Sequence, residues 1–171
     1  MAHPSKLSLP GARTRFDELQ IVHVLLTEWA PIHWVGAFLP FHRYYVHAHE
    51  TLLRTECNYT GAHPYWDESL DAGNFANSVL LDPVFGFGGN GEGENHCITT
   101  GPFKDYVNAV GPGVTITDHC LTRNINDCLS MGAKKEYVQD CVAKETFFDM
   151  WNCLEAAPHA AGHGGINGQV R

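Results

Sequence analysis

The sequence predicts a mostly α-helical domain interrupted by long irregular segments. Three observations support this. Apolar residues recur at helical spacing in two N-terminal stretches and again near residues 133–152. Prolines stand where helices start or stop. Residues 57–115 are dense in Gly, Pro, Asn and Asp and read as a long ordered loop or lobe. The 171 residues are enough for one domain with a real core, and 44% hydrophobic content is ordinary for a globular protein.

Residues 1–13 are expected to be disordered or extended. In RFDELQIVHVLLTEWA, Phe16, Leu19, Val22 or His23, and Leu26 recur at helical spacing, and Asp17 and Glu18 suit a first turn. This predicts a helix near 15–29, closed before Pro31, with His23 on or beside its apolar face. HWVGAFL is a short connection. Pro40 suits the first position of a second helix, over about 40–56. His42, Tyr45, Val46, Leu52 and Leu53 share one face of it and are expected to look inward, with His47 on another face. FGFGGNGEGEN follows no strand and lacks a Lys-Ser/Thr ending, so it is no phosphate loop. Residues 133–152 read as two short helices. Pro158 then fits another helix start, which places His159 and His163 on one face.

Composition excludes several classes. The net charge is −8, with 11 Lys+Arg against 19 Asp+Glu and no basic run, so no nucleic-acid partner is expected. No apolar run approaches the roughly 20 residues of a membrane span. The opening MAHPSKLSLPGART shows no apolar core of a secretory signal, and the location of the protein stays open. Six cysteines include no C-x-x-C pair, which argues against a zinc ribbon or a thioredoxin motif. Their even number suits disulfides, whereas the missing signal suits a reducing compartment, and both readings stand at this point. Asn58-Tyr59-Thr60 is a glycosylation sequon that matters only in an exported chain.

Histidine carries the chemistry. There are eleven, and four of them (His33, His42, His47 and His49) fall within IHWVGAFLPFHRYYVHAHE. His42 lies one turn into its helix, near the connection that carries His33, and His23 comes from the neighbouring antiparallel helix. Three imidazoles from two helices and a loop can surround one metal, and His159 with His163 can supply most of a second site. Ala160 stands where a zincin protease needs Glu, which excludes that reading. Imidazole suits copper and zinc alike, so ligand type does not select the metal.

IHWVGAFLPFHRYYVHAHETLLRTECNYTGAHPYWDES resembles the first copper motif of the fungal tyrosinase and catechol oxidase family. His33, then Phe38-Leu39-Pro40-Phe41-His42-Arg43, then Glu50 follow the family order, and His23 matches its first copper-A histidine. Pro64-Tyr65-Trp66-Asp67 matches a further segment, and PHAAGHGGINGQ resembles the first half of the copper-B motif. The resemblance covers residues 14–171. It implies a tyrosinase-like helical bundle with long irregular loops, incomplete at both ends. It also implies a centre of two copper ions that oxidises o-diphenols, or a related aromatic metabolite, with O2. His23, His33 and His42 would hold copper A completely, and His159 and His163 would hold copper B in part. Arg43 and Glu50 would support the site, paired with each other.

Departures from the pattern shape the expectation. The family's third copper-B histidine belongs to a downstream Leu-His-His segment, and this chain ends at Arg171 before it. The expectation is a truncated centre. Pro31 occupies the place of a cysteine that many fungal tyrosinases link to the second copper-A histidine. Glu68 replaces the usual Trp after YWD, and Ala160 stands where monophenol-hydroxylating relatives carry Asn or Asp. Two other functions remain open: a zinc-bound member of the fold that rearranges a metabolite without redox chemistry, or a non-catalytic remnant. His47, His49, His63, His96 and His119 are read as structural or surface residues, and Trp34, Phe38 and Tyr45 as core.

Overall fold

A computed structural model describes residues 3–168. These form two compact units: residues up to Tyr65 together with Ala109–Asp118, and Trp66–Asn108 together with the chain from His119 onward.

The first unit is built on two long helices. Helix α1 spans Arg15–Trp29 and starts from a capping box. The Thr14 hydroxyl accepts from the Asp17 amide at 3.1 Å, and the Asp17 carboxylate accepts from the Thr14 amide at 2.8 Å. Helix α2 spans Phe38–Cys57, so it begins two residues before Pro40. Proline is tolerated there because the first-turn amides have no intrahelical acceptor. Asn58 closes the helix in the left-handed conformation, φ 55°.

Buried charge sets the register of the two helices. The Arg15 guanidinium, at the start of α1, pairs with Glu18 and lies 3.1 Å from Glu56, near the end of α2. Glu18 also accepts from the Ser5 hydroxyl and the Leu7 amide, each at 2.7 Å. Midway along the pair, the Tyr45 hydroxyl donates to the Leu19 carbonyl at 2.8 Å. Burial pushes the Tyr45 phenol up to about 12.

The segment before α1 is not disordered where it is described. Ser5 N donates to the Arg13 carbonyl at 2.9 Å, and Pro4 bridges Thr14. The Glu18 carboxylate organises this segment, an acceptor that sequence periodicity does not reveal. The expectation for Met1 and Ala2 lies outside the described residues. Ile21 of α1 packs with Ala109 and Val110, and Leu9, Ala12 and Leu25 flank them. Val46, expected inward, is exposed, because it faces away from the α1 contact that Tyr45 makes.

The second unit holds the irregular segment and the C-terminal helices. Three 3₁₀ turns, Glu68–Leu70, Phe75–Asn77 and Val79–Leu81, lead to an antiparallel pair, β1 (Gly91–Glu92) and β2 (Cys97–Ile98). Strands β3 (Val107–Val110) and β4 (Ile116–Cys120) form a second two-stranded sheet, whose tip belongs to the first unit. Helices α3 (Asp127–Ser130), α4 (Lys135–Val142), α5 (Phe147–Leu154) and α6 (Ala160–Ile166) follow. Phe75, Ala133 and Ala161 form the core, flanked by Trp66, Ala72, Ile125 and Ile166. A Cβ on Gly165 would stand 2.7 Å from the Phe75 ring, so this aromatic packs directly on the α6 backbone.

The cysteine question resolves in part toward disulfides. Cys97 pairs with Cys120 and Cys141 with Cys153, whereas Cys128 is in no disulfide. Loop closure of this kind contributes about 3 kcal/mol per bridge in the chain-entropy account. Among the described residues, no helix is long and apolar enough to cross a membrane.

Removing one partner of a buried ion pair leaves the other charge uncompensated. Arg15→Ala is therefore expected to cost about 3–5 kcal/mol in urea denaturation. Arg13→Ala, which breaks only the exposed pair with Asp118, is expected to cost less than about 1 kcal/mol.

Candidate metal centre

The register of α1 on α2 brings three imidazoles together. His23 comes from the third turn of α1, His33 from the connection and His42 from the first turns of α2. One ring nitrogen of each lies within 4.8 Å of the other two. His23 Nε2 and His42 Nε2 are 3.3 Å apart. Ring centroids stand 5.1 Å apart for His23 and His33, 5.4 Å for His23 and His42, and 4.9 Å for His33 and His42.

Neighbouring groups orient the rings. His42 Nδ1 lies 2.8 Å from the Phe38 carbonyl one turn back. A carbonyl only accepts, so His42 carries its proton on Nδ1 and presents the Nε2 lone pair to the other rings. The Thr27 hydroxyl donates to the His23 carbonyl at 2.9 Å and reaches His33 Nδ1 at 3.5 Å. Phe38, 4% exposed, packs on the His42 ring at 4.6 Å between centroids, and Phe41 meets it edge-on. Three imidazoles at this spacing, oriented by a carbonyl and a hydroxyl and walled by aromatic rings, fit a first-row metal ion.

The second unit holds the other pair. His159 Nε2 and His163 Nε2 are 3.0 Å apart, and His159 Nδ1 donates to the Glu155 carbonyl at 3.3 Å. The structure differs from the expected helix start at Pro158. The chain is helical from Phe147 to Ile166, with a π turn over Glu155–His159 that contains Pro158. Proline has no amide to donate to the preceding turn, and the wider turn accommodates it in mid-helix. The pair still shares a face, because His159, the last residue of the π turn, caps α6 and His163 lies one turn along that helix.

The supporting pair is not the expected one. Glu50 binds Arg54 through two contacts of 2.8 and 3.1 Å, and this hydrogen bond lowers the Glu50 carboxyl below its usual range. Arg54 is one turn away on the same face, whereas Arg43 is seven residues, about 10 Å, along the axis. Arg43 makes no ion pair among the described residues.

Two carboxyls near the His159/His163 pair escaped motif reasoning. Glu155 is fully buried one turn before His159. The Glu68 carboxyl presses against α6 at Gly162, where a Cβ would meet both of its oxygens at 2.6 Å. Burial pushes Glu68 up to about 7. The sequence signal for Glu68 was its replacement of Trp after YWD, and for Glu155 its spacing of four from His159.

Comparison with known proteins identifies the family. Residues 13–171 match the profile of the common central domain of tyrosinase. The chain belongs to the tyrosinase family. It is 35% identical to the tyrosinase-like protein phomQ2 of Diaporthe leptostromiformis, over 96% of this chain and 44% of that protein. It is 32% identical to the tyrosinase ustQ of Aspergillus flavus, over 91% of this chain and 46% of that protein. The fold matches that of a variant polyphenol oxidase from Thermothelomyces thermophila with a TM-score of 0.82 and 27% identity, over 92% of this chain and 52% of that one. The chain thus spans about half the length of the relatives it matches. Tyrosinases are type-3 copper oxidoreductases, so membership points to copper as the metal.

Glu68 generates a prediction with a definite sign. Its carboxyl holds a proton in the folded tyrosinase-family chain at pH values where the unfolded chain has lost it. Stability from this group is therefore greatest below about pH 4.5 and is lost as pH rises toward about 7. Glu68→Gln is expected to flatten that decline. The difference between the two chemical denaturation profiles at pH 5 and pH 7.5 measures it, and equal profiles would contradict the assignment.

Proposed function

We propose that this chain carries the copper-binding part of an oxidoreductase that oxidises an o-diphenol, or a related small aromatic, with O2. The observation that carries the proposal is the His23/His33/His42 cluster, three imidazoles from two helices and their connection converging within 4.8 Å. In this reading His23, His33 and His42 hold copper A, and His159 and His163 supply two ligands of copper B. The third ligand of copper B belongs to the part of the family architecture that this chain does not span.

The chain's own residues prepare the site. The Phe38 carbonyl fixes the His42 tautomer, and the Glu155 carbonyl does the same for His159. The rings of Phe38 and Phe41 pack against the His42 ring. Bound copper would couple diphenol oxidation to O2 reduction. Two diphenols give up four electrons and four protons to one O2, leaving two quinones and two waters. Ala160 offers no polar atom beside His159 to hold a water as a base, which favours diphenols over monophenols.

Protein purified with copper and zinc both available is expected to contain copper, and His42→Ala to lose the triad's share in elemental analysis. Copper-loaded protein is expected to colour catechol under air and not under nitrogen. Zinc in the site, or turnover that needs no O2, would overturn the proposal. Ala160→Asn is expected to raise monophenol turnover about tenfold or more relative to diphenol turnover. An unchanged ratio would remove the role given to Ala160.

A further inference from the structure

Helix α2 carries another imidazole, seven residues beyond His42 and so about 10 Å further along the axis. His49 is half-buried there, and the chain that follows α2 returns His63 to it. His63 Nε2 lies 3.3 Å from His49 Nδ1, with ring centroids 5.2 Å apart and planes at 71°. Fourteen residues separate the two in sequence, where His49 reads as a structural residue and His63 as a surface one.

The return is held by a set of local bonds. Arg54 donates to the Gly61 carbonyl at 2.8 Å, and the Tyr59 hydroxyl donates to the Ala62 carbonyl at 2.6 Å. His63 Nδ1 lies 2.9 Å from the Pro64 carbonyl. That carbonyl can only accept, so His63 keeps its proton on Nδ1 and turns the Nε2 lone pair toward His49. Metal-binding histidines are commonly oriented in this way, with one ring nitrogen on a carbonyl and the other on the ion.

The spacing fits two ligands of one ion. A separation of 3.3 Å is that of a long ring N–H hydrogen bond and equally that of two ligands of one ion. Two nitrogens about 2.0–2.1 Å from a tetrahedral ion stand about 3.3–3.4 Å apart. His23 Nε2 and His42 Nε2 in the triad keep the same 3.3 Å. The Glu50 carboxylate adjoins His49 in sequence and acts electrostatically on His63, while the Arg54 guanidinium is neutralised by that carboxylate.

The geometry points to a transition-metal site separate from the triad, in which His49 Nδ1 and His63 Nε2 hold a divalent ion such as Zn2+ and water completes its coordination. Bound there, the ion clips the 58–63 loop onto α2 and stabilises the chain in proportion to ion concentration. Binding requires His49 to carry its proton on Nε2, which the metal enforces by taking the Nδ1 lone pair.

The test is diethylpyrocarbonate labelling of the full chain with and without Zn2+, read residue by residue by mass spectrometry. His63 and His49 are expected to become severalfold less reactive with Zn2+, while exposed His47 is unchanged. In His49→Gln, Zn2+ is expected to leave His63 reactive, and a circular dichroism spectrum unchanged from the parent chain shows that the variant is folded. His63→Asn is expected to bind one zinc equivalent fewer in equilibrium dialysis. Equal His63 labelling with and without Zn2+, or an undiminished zinc count in His63→Asn, would show an imidazole hydrogen bond only and overturn the site.

Discussion

The axial register of α1 on α2 is the constraint on which the triad depends. Arg15 meets Glu56 at one end of the pair, the Tyr45 hydroxyl reaches the Leu19 carbonyl in the middle, and His23 meets His42 beyond it. A slip of one residue turns a helix face by about 100° and would carry His42 away from His23. Apolar packing alone tolerates such slips poorly but does not forbid them. A guanidinium held between two carboxylates does, because each misregistered pairing strands a buried charge. The Glu18 carboxylate extends the same device to the preceding segment by gathering Ser5 and Leu7.

The other histidine pair uses a different device. His159 and His163 need only one helix, so their mutual geometry is local. Their surroundings come from further away in sequence. The π turn at Glu155–His159 absorbs Pro158, and Gly162 leaves room on α6 for the Glu68 carboxyl. The result is a desolvated acid beside the segment that presents the two imidazoles. Such an acid holds its proton near neutral pH, unlike an exposed glutamate.

Much of this could be read from residue order. Helix α1 lies where the spacing of Phe16, Leu19 and Leu26 placed it, and α4 and α5 are the two short helices expected near 133–152. The helical periods and the motif around Phe38–Arg43 also identified the three imidazoles that converge. The misreadings share a cause. Val46, the Arg43–Glu50 pair and the Pro158 helix start were inferred from helical phase or single-residue preference. Each was decided by a competing partner: α1 for the α2 face, Arg54 for Glu50, and the α5 helix running on through Pro158.

The sequence by itself determined which elements are helical, which residue types can bind a metal and which family pattern they follow. All of these are carried by spacing within about twenty residues, where 3.6-residue periodicity and cap preferences act directly. Tertiary structure alone decided that Glu18 anchors the N-terminal segment, that Glu68 is buried against Gly162, and that His63 returns to His49. Those contacts join residues far apart in sequence or across a loop, and their energy depends on desolvation and on the competing partners each group finds once the chain is packed.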